Sequence, residues 1–274
     1  NLLYRVNFAF ENGQSYRDFV DNRNVFVAPS LTWKITDRTT LLTEVELGHF
    51  RNDFDRGFPT EPELLDEERS NNYAEPWTSA VNKNLNIMFN LTHVFNEKYS
   101  FRSGFNYVRS QTDLDATSFG FFPLAFDRRT INRTAIDTDE NSENYNFQNE
   151  FYANFSTGNV RHRLVAGGEF ARFQFKYLFD LFSLAPIDRI NPTYGATRGF
   201  ALFGFDDDIK ANQFGGYILD HIELLPNLKV MIGGRFSYVD ASVRDFSGAT
   251  LGAGNTEFTI TGDDVFGMVG SSSF

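Results

Sequence analysis

The chain contains no cysteine, and this absence excludes several kinds of protein. Without a thiol there is no disulfide framework, no thiolate nucleophile and no cysteine-ligated zinc or iron–sulfur site. The mean hydropathy is −0.35, and no apolar run reaches the roughly 18 residues that a membrane-spanning helix needs. A helical transporter is therefore excluded. No secretory signal opens the chain, so we expect its N-terminus to be processed or cut.

Positive charge and histidine are also scarce. The formal net charge is −11 and the pI is near 4.8, which argues against a nucleic-acid partner because such partners require a basic surface. Only four histidines occur, and no two have the spacing of metal ligands: His49, His93, His162 and His221. We therefore expect no resident metal, no cofactor and no nucleic-acid binding.

Tight turns recur about sixty residues apart, and each joins two long runs of alternating apolar and polar residues. They are Thr36-Asp37-Arg38, Asn96-Glu97-Lys98, Thr157-Gly158-Asn159 and Leu225-Pro226-Asn227. Short turns on one rim and long loops on the other are typical of outer-membrane β-barrels. The repeat thus predicts an antiparallel up-and-down barrel.

The alternation itself predicts which face of each strand meets lipid. In 84–95, Leu85, Ile87 and Phe89 fall on one face, while Asn84 and Asn86 fall on the other. The abundance of Phe, at 32 residues, suits both strands and lipid–water interfaces. Nine or ten strands are predicted, at 2–12, 24–35, 39–50, 84–95, 99–112, 145–155, 159–175, 210–224, 228–238 and 256–266.

The remaining connections are predicted to be long loops on the outer rim, at about 13–23, 51–78, 113–142, 176–209 and 244–256. They are rich in polar residues, Gly and Pro, yet they also carry groups of aromatic side chains. Large loops usually have a function. We interpret the aromatic groups together as the lining of a ligand vestibule, although any single ring could instead pack one loop against another.

Several short motifs resemble the barrel of TonB-dependent siderophore receptors, and most closely their ferrichrome and ferric-hydroxamate branch. They occur in the order of that family: Asp18-Phe19-Val20, Ala28-Pro29-Ser30-Leu31-Thr32-Trp33 before Asp37-Arg38-Thr39, Phe155-Ser156-Thr157-Gly158 before His162-Arg163-Leu164 and Gly167-Gly168-Glu169-Phe170, Ile190-Asn191-Pro192, and Gly216-Tyr217-Ile218-Leu219-Asp220 before Gly233-Gly234-Arg235-Phe236. Each motif is short, and together they reach from near the start of the chain to about residue 239.

The resemblance implies a receptor of the bacterial outer membrane that takes up a ferric siderophore, of hydroxamate type, with energy delivered through TonB. Such a receptor has about 22 strands around a plug domain. Here no plug and no TonB-contacting segment precede Asn1, so we expect residues 1–274 to be an internal part of the barrel, with about nine or ten strands. The TonB complex would act through the missing N-terminal region, and the outer face would contact lipid.

The resemblance also indicates residues that would bind the ligand. Phe119-Gly120-Phe121 matches an aromatic-Gly-aromatic element of the siderophore pocket, with Phe in place of the family's Tyr. Phe54 and Phe58, the latter within Gly57-Phe58-Pro59, match a second aromatic patch, and Tyr177 and Phe179 lie near a third. We expect these six rings to hold the ligand by apolar contact.

Two other functions remain open from the residues alone. His49 lies at the outer end of a strand, with Asp53 and Asp55 nearby, which permits an Asp-His protease on a ten-stranded outer-membrane barrel. A passive porin is also possible because the lumen faces carry basic residues: Lys34, Arg102, Arg161, Arg163, Lys229 and Arg235. No nucleophile or phosphate-binding motif supports other chemistry, so the chain is predicted not to be an enzyme.

Two acidic runs could hold calcium in outer loops, since hard cations prefer clustered oxygen ligands. The runs are Asp137-Thr138-Asp139-Glu140-Asn141 and Asp206-Asp207-Asp208. Solvated acidic loops are the alternative.

Overall fold

The computed structural model describes residues 1–57, 59, 62–64, 67–250, 252 and 254–273, and it leaves the side chains of 63, 121, 122 and 266–273 undescribed. Ten strands lie in this part of the chain: β1 Leu2–Gln14, β2 Asp21–Thr36, β3 Thr39–Asn52, β4 Ser79–Val94, β5 Tyr99–Leu124, β6 Thr130–Thr157, β7 Val160–Asp188, β8 Ala201–Leu225, β9 Leu228–Asp245 and β10 Thr256–Ser273. A short 3-10 turn, Pro62–Leu64, interrupts the connection from β3 to β4. No helix among the described residues could span a membrane.

The ten strands form one antiparallel sheet in which each strand pairs with the next along the chain, in the order β1 to β10. The prediction of an all-β, up-and-down meander is confirmed. The four tight turns also lie where they were predicted, and Gly158, in the turn from β6 to β7, has a φ of 62°. This conformation favours glycine because it lacks a Cβ.

Three of the five predicted long loops, 13–23, 51–78 and 244–256, lie between strands as expected, whereas the other two are wrong over much of their length. Strands β5 to β8 contain 26, 28, 29 and 25 residues, so the segments 113–142 and 176–209 consist largely of paired strand. The connections that remain are residues 125–129 and 189–200. A strand needs only about ten residues to cross a bilayer. In a membrane-spanning barrel, more than half of each of these strands would therefore extend beyond the bilayer.

The outer face of the sheet is apolar in the segments next to the tight turns. Phe89, Phe105, Phe147, Phe170 and Phe214 occupy one row of paired positions across five strands. Rings lie at both ends of this zone: Phe151 stacks on Tyr99 near the turns, with ring centroids 5.9 Å apart, and Tyr107 contacts Tyr145 at 4.7 Å near the other end. Aromatic belts of this kind are typical of the two interfaces of a membrane, and their position agrees with the face that was predicted to meet lipid.

The inner face of the same segments is polar and hydrogen-bonded across strands. The Tyr217 hydroxyl donates to Glu150 at 2.5 Å and also contacts the amide of Gln148 at 2.8 Å. Tyr217 reaches β6 by crossing over Gly167 of the intervening strand, where a Cβ would come within 2.4 Å of its ring. Arg235 and Glu169 form an ion pair beside this group.

Candidate ligand-binding site

The two faces of the sheet exchange polarity where the long strands leave the membrane zone. On β7, Phe170 is the last large apolar residue of the lipid-side face before Arg172, Gln174 and Lys176 follow on that same face. The opposite face of β7 is polar next to the tight turn, whereas beyond this point it carries aromatic rings. Because the register between β6, β7 and β8 is unbroken across this point, the exchange comes from the sequence and not from a β-bulge.

Above the membrane, six rings form a ladder on the inner face of β7 and β8. Four of them alternate along β7, and two lie on the paired residues of β8: Phe173, Phe175, Tyr177, Phe179, Phe203 and Phe205. Successive ring centroids along β7 are 6.2, 5.9 and 6.3 Å apart, and those of Phe203 and Phe205 are 4.6 Å apart. The ladder gives the inner wall a continuous aromatic surface.

Two of the six predicted ligand residues, Tyr177 and Phe179, belong to this aromatic ladder. They lie on a strand and not on a loop, and both are partly exposed. Burial raises the pKa of Tyr177, and the carboxylates of Glu140 and Asp207, which are its direct neighbours on β6 and β8, raise it further. Tyr177 therefore keeps its proton and can donate a hydrogen bond to a ligand.

Phe119 lies elsewhere, on the face of β5 opposite to that of the aromatic ladder's wall. It packs against a buried cluster formed by Leu64, Tyr73, Ile131 and Ile187. This environment gives the Phe119 ring a packing role between β5 and the loop from β3 to β4. A ligand contact at this residue remains a prediction.

The other three predicted residues are spread out or lie outside the described part. Phe54 is half-buried in the β3–β4 connection, where the guanidinium of Arg56 lies 5.1 Å from its ring centroid. Phe58 lies outside the described residues, and the side chain of Phe121 is not described. The residues that can be located thus fall in three places, and only the aromatic ladder joins two of them.

A buried ion pair fixes the β3–β4 connection to the sheet, and the sequence patterns did not indicate it. Arg133 on β6 and Glu75 are 1% and 0% exposed, and their side chains are 2.8 Å apart. Arg133 also donates to the carbonyls of Tyr73 and Ala185, at 2.9 Å each. The Glu75 carboxylate accepts the backbone N–H of Gly195 at 2.7 Å. We call this group the Arg133 clasp.

The β7–β8 connection is held against the same face by Arg198. Its guanidinium contacts Asp115 and lies 2.6 Å from Asp137, which are paired residues of β5 and β6. The indole of Trp77 donates to the carbonyl of Ala196 at 2.9 Å, joining this connection to the previous one. Both connections therefore cover the outer side of the extended strands and leave the aromatic ladder's face to the interior.

The arrangement needed for an Asp-His protease is not present. His49 is exposed, and the carboxylates that could orient it have other partners: Asp53 accepts the backbone N–H of Asp21 at 2.8 Å, and Asp55 pairs with Arg17 at 2.7 Å. General-base catalysis would require one of them to contact the imidazole.

The two acidic runs suggested for calcium lie on β6 and β8 and not in loops. Consecutive side chains on a strand point to opposite faces, so neighbouring carboxylates of each run diverge. Within the described ranges, no group of three or more His, Cys, Asp or Glu side chains is arranged to hold a metal ion.

The chain is similar to a known family of β-barrels and to several receptors. Residues 30–271 match the model of the TonB dependent receptor-like β-barrel family. The chain is 30% identical over 244 residues to the metal-pseudopaline receptor CntO of Pseudomonas aeruginosa, covering 86% of this chain and 34% of that protein. It is 23% identical to the ferrioxamine receptor of Yersinia enterocolitica, covering 85% and 34%.

Among solved structures, the siderophore receptor PiuA of Acinetobacter baumannii has the same fold. Its TM-score is 0.76 at 16% identity, and the match covers 99% of this chain and 43% of that one. The chain thus spans about a third of the length of the curated relatives that it matches.

Proposed function

Because the chain belongs to the TonB-dependent receptor-like β-barrel family, we propose that the receptor containing it takes up metal–siderophore complexes across the bacterial outer membrane. The complex would be captured on the outer side by the inner wall of the extended strands. Energy delivered through TonB, acting on a plug domain, would then release it to the periplasm. The family consists of outer-membrane receptors, so the predicted location and the prediction that the chain is not an enzyme are both confirmed.

The aromatic ladder is the single observation that best supports this proposal. It lies above the membrane zone on the face that continues the lumen, and it contains Tyr177 and Phe179, for which ligand contact was predicted. A chelate of an iron ion presents a bulky organic surface, and pockets for such ligands are mostly apolar with a few polar groups. Six adjacent rings with one phenol hydroxyl suit that purpose.

We further propose a ferric hydroxamate as the ligand. Support comes from the sequence motifs and from the ferrioxamine receptor relative, because ferrioxamines are hydroxamate chelates. The metal-pseudopaline receptor, at 30% identity, favours a second candidate ligand, a complex of a metal with pseudopaline.

A transport assay with the full-length receptor tests both proposals. Cells in which this receptor is the sole uptake route should accumulate radiolabelled iron from a ferric trihydroxamate, and they should stop doing so when TonB is deleted. Iron uptake that is unchanged without TonB would indicate a passive porin. Uptake of a metal–pseudopaline complex, without any uptake of the ferric trihydroxamate, would favour the second candidate.

The same uptake assay, run over a range of ligand concentrations, completes the test. Substitution of both Tyr177 and Phe179 by Ala should abolish most uptake at low ligand concentration, and uptake should recover when the ligand is in large excess. Loss of uptake at every concentration would instead indicate a folding defect. Heat-modifiable mobility on gels, which reports a folded barrel, separates these two results.

A further inference from the structure

The charges around the aromatic ladder indicate the charge of the ligand that this receptor prefers. Resting on the proposed function, we infer that this receptor selects metal complexes bearing a positively charged group. The carboxylates of Glu140 and Asp207 attract that group, while the aromatic ladder holds the apolar body of the complex.

The inner wall above the membrane is free of positive charge among the residues that the structure describes. Its inward positions are alternate residues of 110–118, 134–142, 173–183, 203–211, 239–245 and 256–260, and none of them is Lys or Arg. The ionisable acids on it are Glu140, Asp207 and Asp245. An anionic complex would therefore meet only negative charge here, and no cation would compensate for its loss of water.

The three acids lie in one row across neighbouring strands. Glu140 of β6 pairs with Tyr177 of β7, Tyr177 pairs with Asp207 of β8, and Asp207 pairs with Asp245 of β9. Side chains at directly opposite positions have Cβ atoms only about 5 Å apart. The row passes through the middle of the aromatic ladder, directly below Phe179 and Phe205.

The carboxylate of Asp207 is poorly satisfied within the protein. The residue is 8% exposed, and one of its oxygens accepts the hydroxyl of Thr250 at 2.6 Å. The other oxygen is buried without a hydrogen-bond partner. A buried anion without a nearby cation creates a strong local field, and this field acts across Tyr177.

Glu140 is the member of the row that a ligand can reach. It is half-buried on the inner wall, and its neighbours Thr112 and Tyr177 carry no positive charge. Asp245, in contrast, is fully buried and binds the backbone N–H groups of Gly248 and Thr250, at 2.6 and 3.0 Å. We assign Asp245 to the β9–β10 connection and ligand recognition to Glu140, assisted by Asp207.

The opposite side of the same strands provides a matched comparison. There Glu143 lies near Arg109, at 3.8 Å, and Lys210 pairs with Asp208 at 2.7 Å. Glu143 and Asp208 therefore each have a basic neighbour on that side, where Asp137 also lies near the carboxylates of Asp113, Asp139 and Asp180. On the inner wall, Glu140 and Asp207 pair with no Lys or Arg of the described strands, which is the arrangement expected if the ligand supplies the positive charge.

Three ferric complexes that differ in one terminal group test this inference. The first is a linear trihydroxamate with a free terminal amine, which is a cation because three hydroxamates cancel the charge of the ferric ion. The second is its N-acetyl derivative, which is neutral, and the third is its N-succinyl derivative, which is an anion. Their dissociation constants for the full-length receptor are measured by fluorescence titration at low ionic strength.

We expect affinity to fall from the amine to the acetyl to the succinyl complex. Glu140→Gln should reduce the advantage of the amine complex by roughly threefold to tenfold and leave the acetyl complex unchanged. Asp207→Asn, which keeps an acceptor for Thr250, should act in the same direction. The control variant Glu143→Gln, on the opposite face of β6, should change none of the three constants.

Equal affinity for all three complexes, or tightest binding of the succinyl complex, would overturn the inference and leave the proposed function standing. A uniform loss of affinity in Glu140→Gln would also overturn it, because a structural role predicts that pattern. Binding of none of the three would contradict both this inference and the proposed hydroxamate ligand.

Discussion

Strands β5 to β8 keep one register across the membrane boundary, yet on its two sides they place opposite kinds of residue on the same face. Next to the tight turns, the outer face of β7 carries Leu164 and Phe170, whereas farther along it carries Gln174 and Lys176. The inner face changes in the reverse sense, from Arg163 to the aromatic ladder. The difference shows that the surroundings of a strand, and not its pairing, determine where its apolar residues lie.

Lipid and water explain the exchange. In the bilayer, the apolar face must point outward because hydrocarbon is the outer solvent. Beyond the bilayer, water is outside, so apolar side chains are better placed on the inner wall, where other residues or a ligand can cover them. The position at which the pattern inverts therefore marks the outer membrane boundary, close to Tyr145 and Arg172.

The largest expected effect is a change in hydrogen exchange that occurs in the external connections and not in the membrane segments. Arg133→Ala leaves Glu75 buried without its cation, and removal of one partner of a buried pair costs about 3–5 kcal/mol. We expect the connections at 67–78 and 189–200 to exchange their amide hydrogens much faster, while the membrane segments of β5 to β8 stay protected. Hydrogen exchange followed by mass spectrometry measures both.

The control for the Arg133 clasp is Arg129, whose pair with Asp188 is exposed. Arg129→Ala should leave exchange in 67–78 unchanged. If Arg133→Ala did not alter exchange in either connection, the clasp would not hold them. Global unfolding of the barrel would show that the two ends of the strands are a single cooperative unit.

A second, smaller effect tests the exchange of polarity itself. Phe170 and Gln174 share one face of β7, four residues apart. Phe170→Arg puts a charge against lipid close to the outer boundary, at a cost of about 1–2 kcal/mol, below the value at the midplane, whereas Gln174→Arg adds a charge where water already is. The folded fraction in a urea titration in lipid vesicles should fall only for Phe170→Arg. Equal losses would move the membrane boundary beyond Gln174.

Much of the membrane zone could be predicted from the sequence, because large apolar residues recur at every second position from Leu85 to Leu91 and leave little choice of structure. The external segments were mistaken for loops since their polar residues follow no simple alternation, as in Asp137-Thr138-Asp139-Glu140. A clear signal did exist on β7, where Phe173, Phe175, Tyr177 and Phe179 recur at every second position. Its phase was opposite to that of the lipid-facing strands, and the prediction of a loop over 176–209 cut it short.

The Arg133 clasp could not be predicted. It joins residues 58 positions apart in the chain, and a single Glu in a polar connection resembles any solvated residue. Its burial results from how the connections fold over β5 and β6. The candidate site is similar in this respect: the sequence indicated Tyr177 and Phe179 singly, but the partner rings Phe203 and Phe205 depend on strand register.

A third prediction compares the two faces of β7 within the external segment. Tyr177→Ala and Phe179→Ala should each weaken binding of the proposed ferric complex by about tenfold, because an aromatic anchor contributes on the order of 1–2 kcal/mol. Leu178→Ala, which removes a side chain 41% exposed on the opposite face, should not change affinity. Titration of the full-length receptor with the ferric complex checks this. If Leu178→Ala weakened binding as much as the changes at Tyr177 and Phe179, the ligand would not bind on the inner face alone.

The smallest expected effect lies at the end of the external segment farthest from the membrane, where β6 begins and β7 ends. Arg129 donates to Asp188 at 2.7 Å, and this hydrogen bond lowers the pKa of Asp188 from its ordinary value of 3.8 to about 2. A lowered pKa means that the pair contributes stability above pH 4 and loses it as the pH falls through about 2. Because both side chains are exposed, screening keeps this contribution small.

Arg129→Gln should return the pKa of Asp188 toward 3.8, and the loss of order at the tip should then begin at higher pH. A titration that follows the carboxyl carbon of a selectively labelled Asp188 by NMR measures the shift directly. If the pKa stays near 2 in the variant, the backbone N–H groups of Ile190 and Asn191 hold the carboxylate ionised without Arg129. The hydrogen bonds within the turn after β7 would then be sufficient to order it. The pair of Arg129 with Asp188 would not be needed for β6 and β7 to extend this far from the membrane.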